Sequence, residues 1–322
     1  MTEPVGRVAL RNPPPTWILA EDYAGLQAQA LGLAEAAGLV PEIRTLVPRP
    51  PWSWFPARLW PHPLRGIQPD LLTPPWPELL ISCGGTAAAV AAGMASGGRK
   101  IVAVQHPRMN PQKFDLIVVN RHDQLTGPNV IVTRTALHRV TDARLAAARA
   151  EWSDRFADLP RPLVAVLLGG SNGRFRLDLT VAEKLAAQLA EMMRLDRVGL
   201  VLTPSRRTDP AVTSLFASTL GKLGAQVWDG TGENPYFGML ALADLIIATE
   251  DSVSMVSEAV ATTVPVMLAR LPGRSRRIGL FLDDVLASGR VREFAGRYDP
   301  WPVTPMNDTL AAGAEMRRRL GY

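Results

Sequence analysis

The sequence predicts an α/β protein with two doubly wound, Rossmann-like domains. Apolar runs of strand length alternate with helical patterns, polar or glycine-rich turns follow most of the runs, and the alternation restarts after a linker over 158–162. A chain of 322 residues is long enough for two domains that each bury a core. We expect one domain over 1–159 and a second over 160–305, and the C-terminal helix over 306–322 can pack back on the first.

The first half contains six runs that we predict to be strands, over 5–10, 42–47, 78–83, 100–104, 114–119 and 129–133. Helical patterns cover 21–38, 87–94 and 141–156. The turn Gly84-Gly85 is open to two interpretations, a ligand-facing loop or tight packing. His122 and Asp123 follow the fifth run, at the sheet edge where parallel strands present their ligands.

Residues 48–77 are unusual because ten prolines alternate with Trp52, Trp54, Trp60 and Trp76. They are interpreted either as an ordered loop whose tryptophans cover the edge of the core, or as an exposed surface for an acyl chain, a bilayer or a partner. Tryptophan suits both, since it has an apolar body and one N–H donor.

Composition excludes several classes of protein. The single cysteine, Cys83, excludes an internal disulfide framework, and the four histidines include no close pair, so no metal site is predicted. The net charge of +5 comes from arginine without a long basic run, so no nucleic-acid partner is expected. Neither a signal peptide nor a membrane-spanning segment is found in the sequence. This predicts a cytoplasmic location, and peripheral contact with the inner membrane is left open.

The second half opens with an apolar strand over 163–168, a glycine turn and a helix over 180–193. This arrangement is typical of loops that hold a diphosphate with backbone N–H groups. It is neither a Walker loop nor a full G-x-G-x-x-G motif. The predicted diphosphate-binding residues are Gly169, Gly170, Ser171, Asn172 and Arg174.

Later strands, over 198–202, 225–228, 245–248 and 265–268, are followed by turns of similar polarity. A helix is predicted over 237–243, and two more over 278–289 and 306–320. Further candidate ligand contacts are Ser205, Arg206, Asn234, Ser252, Ser254 and Glu258. Glu250 and Asp251 are expected to orient their turn, because two carboxylates beside a diphosphate would repel it. The arginine cluster over 270–277 is either a solvated loop or a phosphate or acidic-lipid contact.

Two segments of the second half resemble glycosyltransferases of the B type. Gly169-Gly170-Ser171-Asn172-Gly173 is similar to the donor-diphosphate loop of the UDP-GlcNAc transferase family of peptidoglycan synthesis, and Ser252 to Glu258-Ala259 is similar to its Ser-x-x-x-x-x-Glu-Ala helix start. The resemblance implies two domains that face each other across a cleft, with Glu258 holding the ribose hydroxyls.

A broader resemblance covers nearly the whole chain. The segments that carry it are 82–85, 105–108, 114–119, 122–123, 169–171, 205–208, 234–236 and Thr249-Glu250-Asp251-Ser252-Val253-Ser254-Met255-Val256-Ser257-Glu258-Ala259. On these segments the chain resembles bacterial and plant proteins related to the mitochondrial-fission factor of the elongated-mitochondria type. The resemblance implies the same glycosyltransferase-like fold and, for the plant factor, recruitment of a dynamin-type GTPase.

Two hypotheses of function remain. The first is a metal-independent glycosyltransferase with a nucleotide-diphosphate sugar as donor, no required cofactor, His122 or Asp123 as the base and an envelope or lipid-linked acceptor. The second is a non-catalytic recruitment scaffold with a relict nucleotide cleft and a protein partner. A nucleotide-sugar epimerase is not expected, because a Tyr-x-x-x-Lys pair and an N-terminal G-x-G-x-x-G are absent.

Overall fold

A computed structural model describes residues 13–322, so the strand predicted over 5–10 lies outside the described residues. The chain divides into two compact units, which are taken separately. The first comprises the described residues up to Arg139 together with Asp308–Tyr322, and the second is Val140–Asn307.

The sheet of the first unit has six strands, all paired in parallel in the order β2-β1-β3-β4-β5-β6. They are β1 Thr16–Ala20, β2 Pro41–Thr45, β3 Leu79–Cys83, β4 Lys100–Val104, β5 Leu116–Asn120 and β6 Val130–Thr133. β1, β3 and β5 are buried along their whole length, as expected for parallel strands covered on both faces. The strand order reverses between β1 and β3.

The sheet of the second unit also has six parallel strands, in the order β12-β11-β10-β7-β8-β9. They are β7 Leu163–Leu168, β8 Gly199–Pro204, β9 Gln226–Val227, β10 Leu245–Thr249, β11 Val266–Ala269 and β12 Val291–Glu293. Counted from β7 this is the dinucleotide-fold order 3-2-1-4-5-6, with its topological switch point between β7 and β10.

The α-helices are α1 Ala24–Ala36, α2 Gly85–Gly93, α3 Asp142–Trp152, α4 Leu179–Asp196, α5 Pro210–Leu220, α6 Tyr236–Leu242, α7 Val253–Val260, α8 Arg276–Ala287 and α9 Thr309–Leu320. Short 3-10 helices cover Trp52–Trp54, Ala57–Leu59, Pro63–Gly66, Pro69–Leu72, Pro111–Lys113, Arg121–Asp123, Asp154–Phe156 and Gly221–Leu223. No helix of the described part combines the length and the apolarity that a membrane crossing needs.

Side-chain caps explain where several helices of the second unit begin. Asp178 accepts from the N–H of Val181 at 3.0 Å to start α4, and Thr141 starts α3 in the same way. Such caps satisfy backbone donors that the first helical turn leaves without a partner. At the C-terminal end of α7, the buried guanidinium of Arg290 donates to the carbonyls of Val260 and Thr262.

Two strands and one α-helix of the described part are absent from the sequence predictions. β1 begins directly after the three prolines that end at Pro15, α5 follows the capping pair Asp209-Pro210, and β12 has only three residues. The capping pair is a signal that could have indicated α5, since proline is favoured in the first helical turn. β12 carries too few residues for a periodic pattern, and its pairing with β11 alone defines it.

The division between units falls before α3 and not at the predicted linker over 158–162. Trp152 and Phe156, at the end of α3 and just beyond it, belong to the buried core of the second unit together with Met239 of α6. Gly238 allows this contact, because a Cβ there would lie 2.7 Å from Cβ of Trp152. The linker therefore connects α3 to β7 inside the second unit.

The C-terminal helix α9 packs against α1 of the first unit. Ala312 and Met316 are buried with Leu33 in one core cluster, and Gly313 lies directly against the backbone of Ala36. The Asp308 carboxylate accepts from the N–H of Arg134 at 2.5 Å. These contacts attach the last fifteen residues to the sheet edge at β6 and explain why the chain returns to its first unit.

Candidate functional site

The switch point of the second sheet carries a glycine turn. Gly169 and Gly170 follow β7 and are buried, whereas Ser171, Gly173 and Arg174 are exposed. A Cβ on Gly170 would overlap the carbonyl of Arg207 and lie 2.7 Å from the nitrogen of Thr208. A Cβ on Gly169 would overlap the carboxylate of Asp251. Both glycines are thus required by the close approach of the turns after β8 and β10.

The Asp251 carboxylate joins these turns. Its Oδ1 accepts from the hydroxyl of Thr249 at 2.7 Å, and its Oδ2 accepts from the N–H of Gly170 at 3.1 Å. The guanidinium of Arg207 donates to Oδ2 at 2.9 Å and to the carbonyl of Gly170 at 3.2 Å. Thr249 in turn accepts from the N–H of Gly169 at 2.7 Å. Asp251 therefore orients the turn, which is the role expected for a carboxylate that would repel a diphosphate.

This network changes the expected role of two predicted residues. The N–H groups of Gly169 and Gly170 already donate to Thr249 and Asp251. The prediction that these two N–H groups donate to a diphosphate is therefore wrong. Ser171 accepts from Leu177 N–H, and Asn172 accepts from the N–H groups of Arg174 and Phe175. The exposed outer part of the turn is what remains available to a ligand.

The turn after β8 is also held by hydrogen bonds within the protein. Ser205 and Thr208 share a hydroxyl contact at 3.2 Å, and the Thr208 hydroxyl donates to the carbonyl of Gly169. Arg206 and Arg207 are exposed at this turn. The backbone N–H of Arg274 donates to the carbonyl of Arg174 at 3.0 Å, which places the arginine-rich 270–277 loop beside the glycine turn. Arginines from three segments thus lie near the exposed part of the turn.

Glu250, the second carboxylate of the turn after β10, faces away from it. Its oxygens accept from Arg270 and from the N–H of Leu271, each at 2.7 Å. Arg270 also donates to Glu293 at 2.6 Å. Glu250 therefore joins β10 to β11 and β12, and this member of the arginine cluster is committed to carboxylates of the protein.

Helix α7 carries Glu258, the residue that is predicted to bind a ribose. Ser252 caps the helix by accepting from the N–H of Met255 at 3.4 Å, and Ser254 lies one turn before Glu258 on the same face. Glu258 is 9% exposed and accepts a hydrogen bond from the hydroxyl of Tyr236. Burial raises the pKa of Glu258 to about 7, although the Tyr236 hydrogen bond opposes the shift.

The partner of Glu258 is Tyr236, the first residue of α6. Oδ1 of Asn234, which is exposed in the loop before the helix, accepts from the N–H of Tyr236 at 3.0 Å. Tyr236 is not among the predicted site residues, because no local pattern links it to Glu258, which lies 22 residues later in the chain. Burial and the neighbouring Glu258 carboxylate raise the pKa of Tyr236 well above its ordinary value.

The predicted bases lie in the first unit. His122 and Asp123 form the 3-10 turn after β5, and His122 is 7% exposed whereas Asp123 is half-buried. The switch point of that sheet lies between β1 and β3, where Gly84 has a φ of 98° that favours glycine. The structure therefore places the two residues two strands away from that switch point. Their catalytic role stays a prediction.

Gly170 provides a direct test of the braced turn. We expect Gly170→Ala to lower the free energy of unfolding by about 2 kcal/mol, because backbone atoms of Arg207 and Thr208 must move. Chemical denaturation measures this loss. Gly173→Ala is the matched control, since no heavy atom lies within 4 Å of its added Cβ, and a change within about 0.5 kcal/mol is expected. Equal losses in both variants would contradict the role given to the close approach.

Each unit is Rossmann-like with a parallel sheet, and the second has the strand order 3-2-1-4-5-6 and a glycine turn at its switch point. Two units of this kind define the glycosyltransferase-B-like class. Solved structures support this fold. The chain matches the UDP-GlcNAc 2-epimerase of Methanocaldococcus jannaschii with a TM-score of 0.58 at 13% identity, over 96% of this chain and 99% of that one. It also matches the UDP co-structure of MnaA from S. aureus with a TM-score of 0.56 at 13% identity, over 94% and 87%.

The family is also shown. The family described as Mitochondrial fission ELM1 matches residues 24–320, so the chain belongs to it and the resemblance found in the sequence is confirmed. The Mitochondrial fission protein ELM1 of Arabidopsis thaliana is 31% identical over 275 residues, which cover 76% of this chain and 64% of that protein. The chain thus spans under two thirds of this relative's length.

The structural matches leave the expectation about epimerases untested. Two UDP-GlcNAc 2-epimerases share the fold of this chain at 13% and 9% identity, and such a likeness concerns the fold alone. The fold therefore does not separate sugar transfer from epimerisation.

Proposed function

We propose that the protein binds a nucleotide-diphosphate sugar at the switch point of its second unit and transfers the sugar without a metal ion. The observation that carries this proposal is the convergence of three rigid turns, after β7, β8 and β10, at the carboxyl edge of a sheet with the dinucleotide-fold order. Ligands of doubly wound sheets bind in this position. Two proteins that share this fold, MnaA in its UDP co-structure and the UDP-GlcNAc 2-epimerase in complex with UDP-GlcNAc and UDP, bind ligands of the class proposed here.

The charges around the glycine turn support the diphosphate part of the proposal. Arg174 and Arg206 are exposed there, and the Arg274 backbone lies beside Arg174. Guanidinium groups pair well with phosphate oxygens and neutralise the charge that develops on a leaving nucleotide diphosphate. In this proposal these side chains, together with exposed Ser171, replace the buried N–H groups of Gly169 and Gly170 as the diphosphate contacts.

Glu258 supports the nucleoside part. A carboxyl group held by Tyr236 at the end of α7 can accept hydrogen bonds from vicinal hydroxyls of a ribose. Ser254 lies on the same face one turn nearer the glycine turn, and Ser252 caps the helix. The side chain of Asn234 is exposed in the adjoining loop. Asp123 is the more accessible of the two predicted bases, and the acceptor that we propose is lipid-linked or belongs to the cell envelope.

Calorimetric titration with UDP-, GDP- and ADP-sugars tests this function. We expect one of these donors to bind at pH 8, where the Glu258 carboxyl is mostly ionised, and Glu258→Gln to weaken its binding about tenfold or more, because a hydrogen bond to a charged group is worth about 1.5–3 kcal/mol. Glu233→Gln is the control, since Glu233 is exposed and paired with Arg155 in the loop before α6. If no donor binds and the two variants behave alike, the proposal fails.

A second candidate, a recruitment scaffold with a relict nucleotide cleft, has one observation in its favour. The inner N–H groups of the glycine turn are committed to Thr249 and Asp251, which leaves fewer donors for phosphate than a working loop uses. The name of the plant relative is consistent with this candidate. The same titration separates the two, because a scaffold of this kind would bind none of the three donors.

A further inference from the structure

The segment between β2 and β3 exposes large apolar side chains to solvent. Trp54 is 73% exposed, Phe55 57% and Leu59 64%. Of the fourteen large apolar side chains exposed in the described part of the chain, four lie between residues 54 and 64. An exposed group of this kind within one short segment is typical of an interaction surface. We call residues 52–66 the aromatic loop.

The base of the aromatic loop is packed firmly on the first unit. Trp60 is 7% exposed and belongs to a core cluster, its ring centroid lies 6.0 Å from that of Trp52, and its Nε1 donates to the carbonyl of Phe55 at 3.1 Å. Gly66 lies so close that a Cβ there would be 2.6 Å from the Trp60 ring. Trp52 and Trp60 thus act as the inner anchors, whereas Trp54 and Phe55 point outward.

The charge of the surrounding segment has one sign. Between Glu42 and Asp70 the sequence contains four arginines and no acidic residue. Arg49, Arg58 and Arg65 of this set are exposed. Nε of Arg49 donates to the carbonyl of Arg65 at 2.9 Å, so these two arginines lie together at the base of the loop. The exposed aromatic rings are therefore flanked by positive charge.

We propose that the aromatic loop docks the protein on the surface of an anionic lipid bilayer. Tryptophan and phenylalanine insert their rings at the level of the headgroups, and arginines beside them pair with anionic lipid phosphates. The anchored base keeps the rings exposed before contact, which lowers the conformational entropy lost on docking. Positive charge without acidic neighbours selects an anionic surface over a neutral one. The surface lies on the first unit and does not depend on the nucleotide site of the second.

Vesicle sedimentation of the full chain tests the proposal. We expect the protein to bind phosphatidylcholine vesicles that contain phosphatidylglycerol and to bind pure phosphatidylcholine vesicles much less. The double variant Trp54→Ser, Phe55→Ser should lose about tenfold or more of the binding to anionic vesicles. Arg58→Gln should lose about fivefold on anionic vesicles and change little on neutral ones, because one arginine near the surface contributes that much.

Tyr23→Ser is the matched control, since Tyr23 is 62% exposed in the same unit and lies outside the aromatic loop. It should bind vesicles like the parent chain, and the aromatic-loop variants should keep the parent's denaturation midpoint. The proposal is overturned if the parent chain does not bind anionic vesicles, or if the double variant binds as well as Tyr23→Ser. Concentration-dependent self-association that the double variant abolishes, without vesicle binding, would also overturn it and assign the surface to a second copy.

Discussion

Asp251→Ala is expected to lower the free energy of unfolding by about 3 kcal/mol or more. The carboxylate is fully buried, and it accepts from the Gly170 N–H and the Thr249 hydroxyl. Each donor left without an acceptor costs about 1–3 kcal/mol. Arg207 is 40% exposed on its side chain and can regain water, so it adds little to the loss. Urea denaturation of both variant and parent measures the difference.

Asp299→Ala is the control for this variant. Asp299 pairs with Arg292 at 3.3 Å, but its side chain is 69% exposed, and such surface pairs contribute about 0–1 kcal/mol. If the donor binds at the glycine turn as proposed, its affinity gives a second readout, and we expect Asp251→Ala to lower that affinity because Asp251 positions the turn. Loss of stability in Asp251→Ala that does not exceed the loss in Asp299→Ala would show that the carboxylate does not brace the turn.

Glu258 is expected to make the stability of the second unit depend on pH. Burial raises its pKa from 4.5 to about 7, so the folded state holds the proton more tightly than the unfolded state does. The stability that the neutral carboxyl contributes is therefore fully present below about pH 4.5 and is lost as the pH rises through 7. The shift corresponds to about 3 kcal/mol. Denaturation midpoints between pH 5 and pH 8 measure it.

Glu258→Gln removes the titration and keeps the shape. We expect it to match the parent chain near pH 5 and to exceed the parent's stability by up to about 3 kcal/mol near pH 8, because the glutamine stays neutral. Tyr236→Phe should move the parent's transition to higher pH, since the tyrosine hydrogen bond lowers the pKa of Glu258. A parent and a Glu258→Gln variant that show parallel pH curves would rule out titration of Glu258 in this range.

Much of the fold follows from local patterns. The apolar runs over 100–104 and 163–168 match β4 and β7 residue for residue. β7 is buried along its whole length and β4 is buried after Lys100, so each strand contains a continuous apolar run that is visible in the sequence. The glycine turn was also predicted from a local signal, namely its position between a strand and a helix. Ser252 was predicted as a ligand contact at a helix start, whereas the structure shows that its side chain caps α7. Short strands at a sheet edge, such as β12, contain too few residues to give such a local signal.

The candidate site was predictable only in part. The sequence indicates which turns lie at the carboxyl edge of the second sheet, yet it does not show which donors are already used inside the protein. The contact of Gly169 with Thr249 joins residues 80 positions apart, and that of Tyr236 with Glu258 joins residues 22 positions apart. Arg207, Thr208 and Tyr236 were missed for this reason, since their roles depend on partners in other turns.

The sequence by itself determined the two α/β units, the position of their polar turns and the membership of the Mitochondrial fission ELM1 family, which is confirmed. Only the tertiary structure decided that Asp251 accepts from the N–H of Gly170, that burial raises the pKa of Glu258, and that Trp54 is exposed whereas Trp60 is packed in the core. The physical reason is that strand and turn formation depend on neighbours along the chain, whereas hydrogen-bond partners, desolvation and exposure depend on residues that only folding brings together.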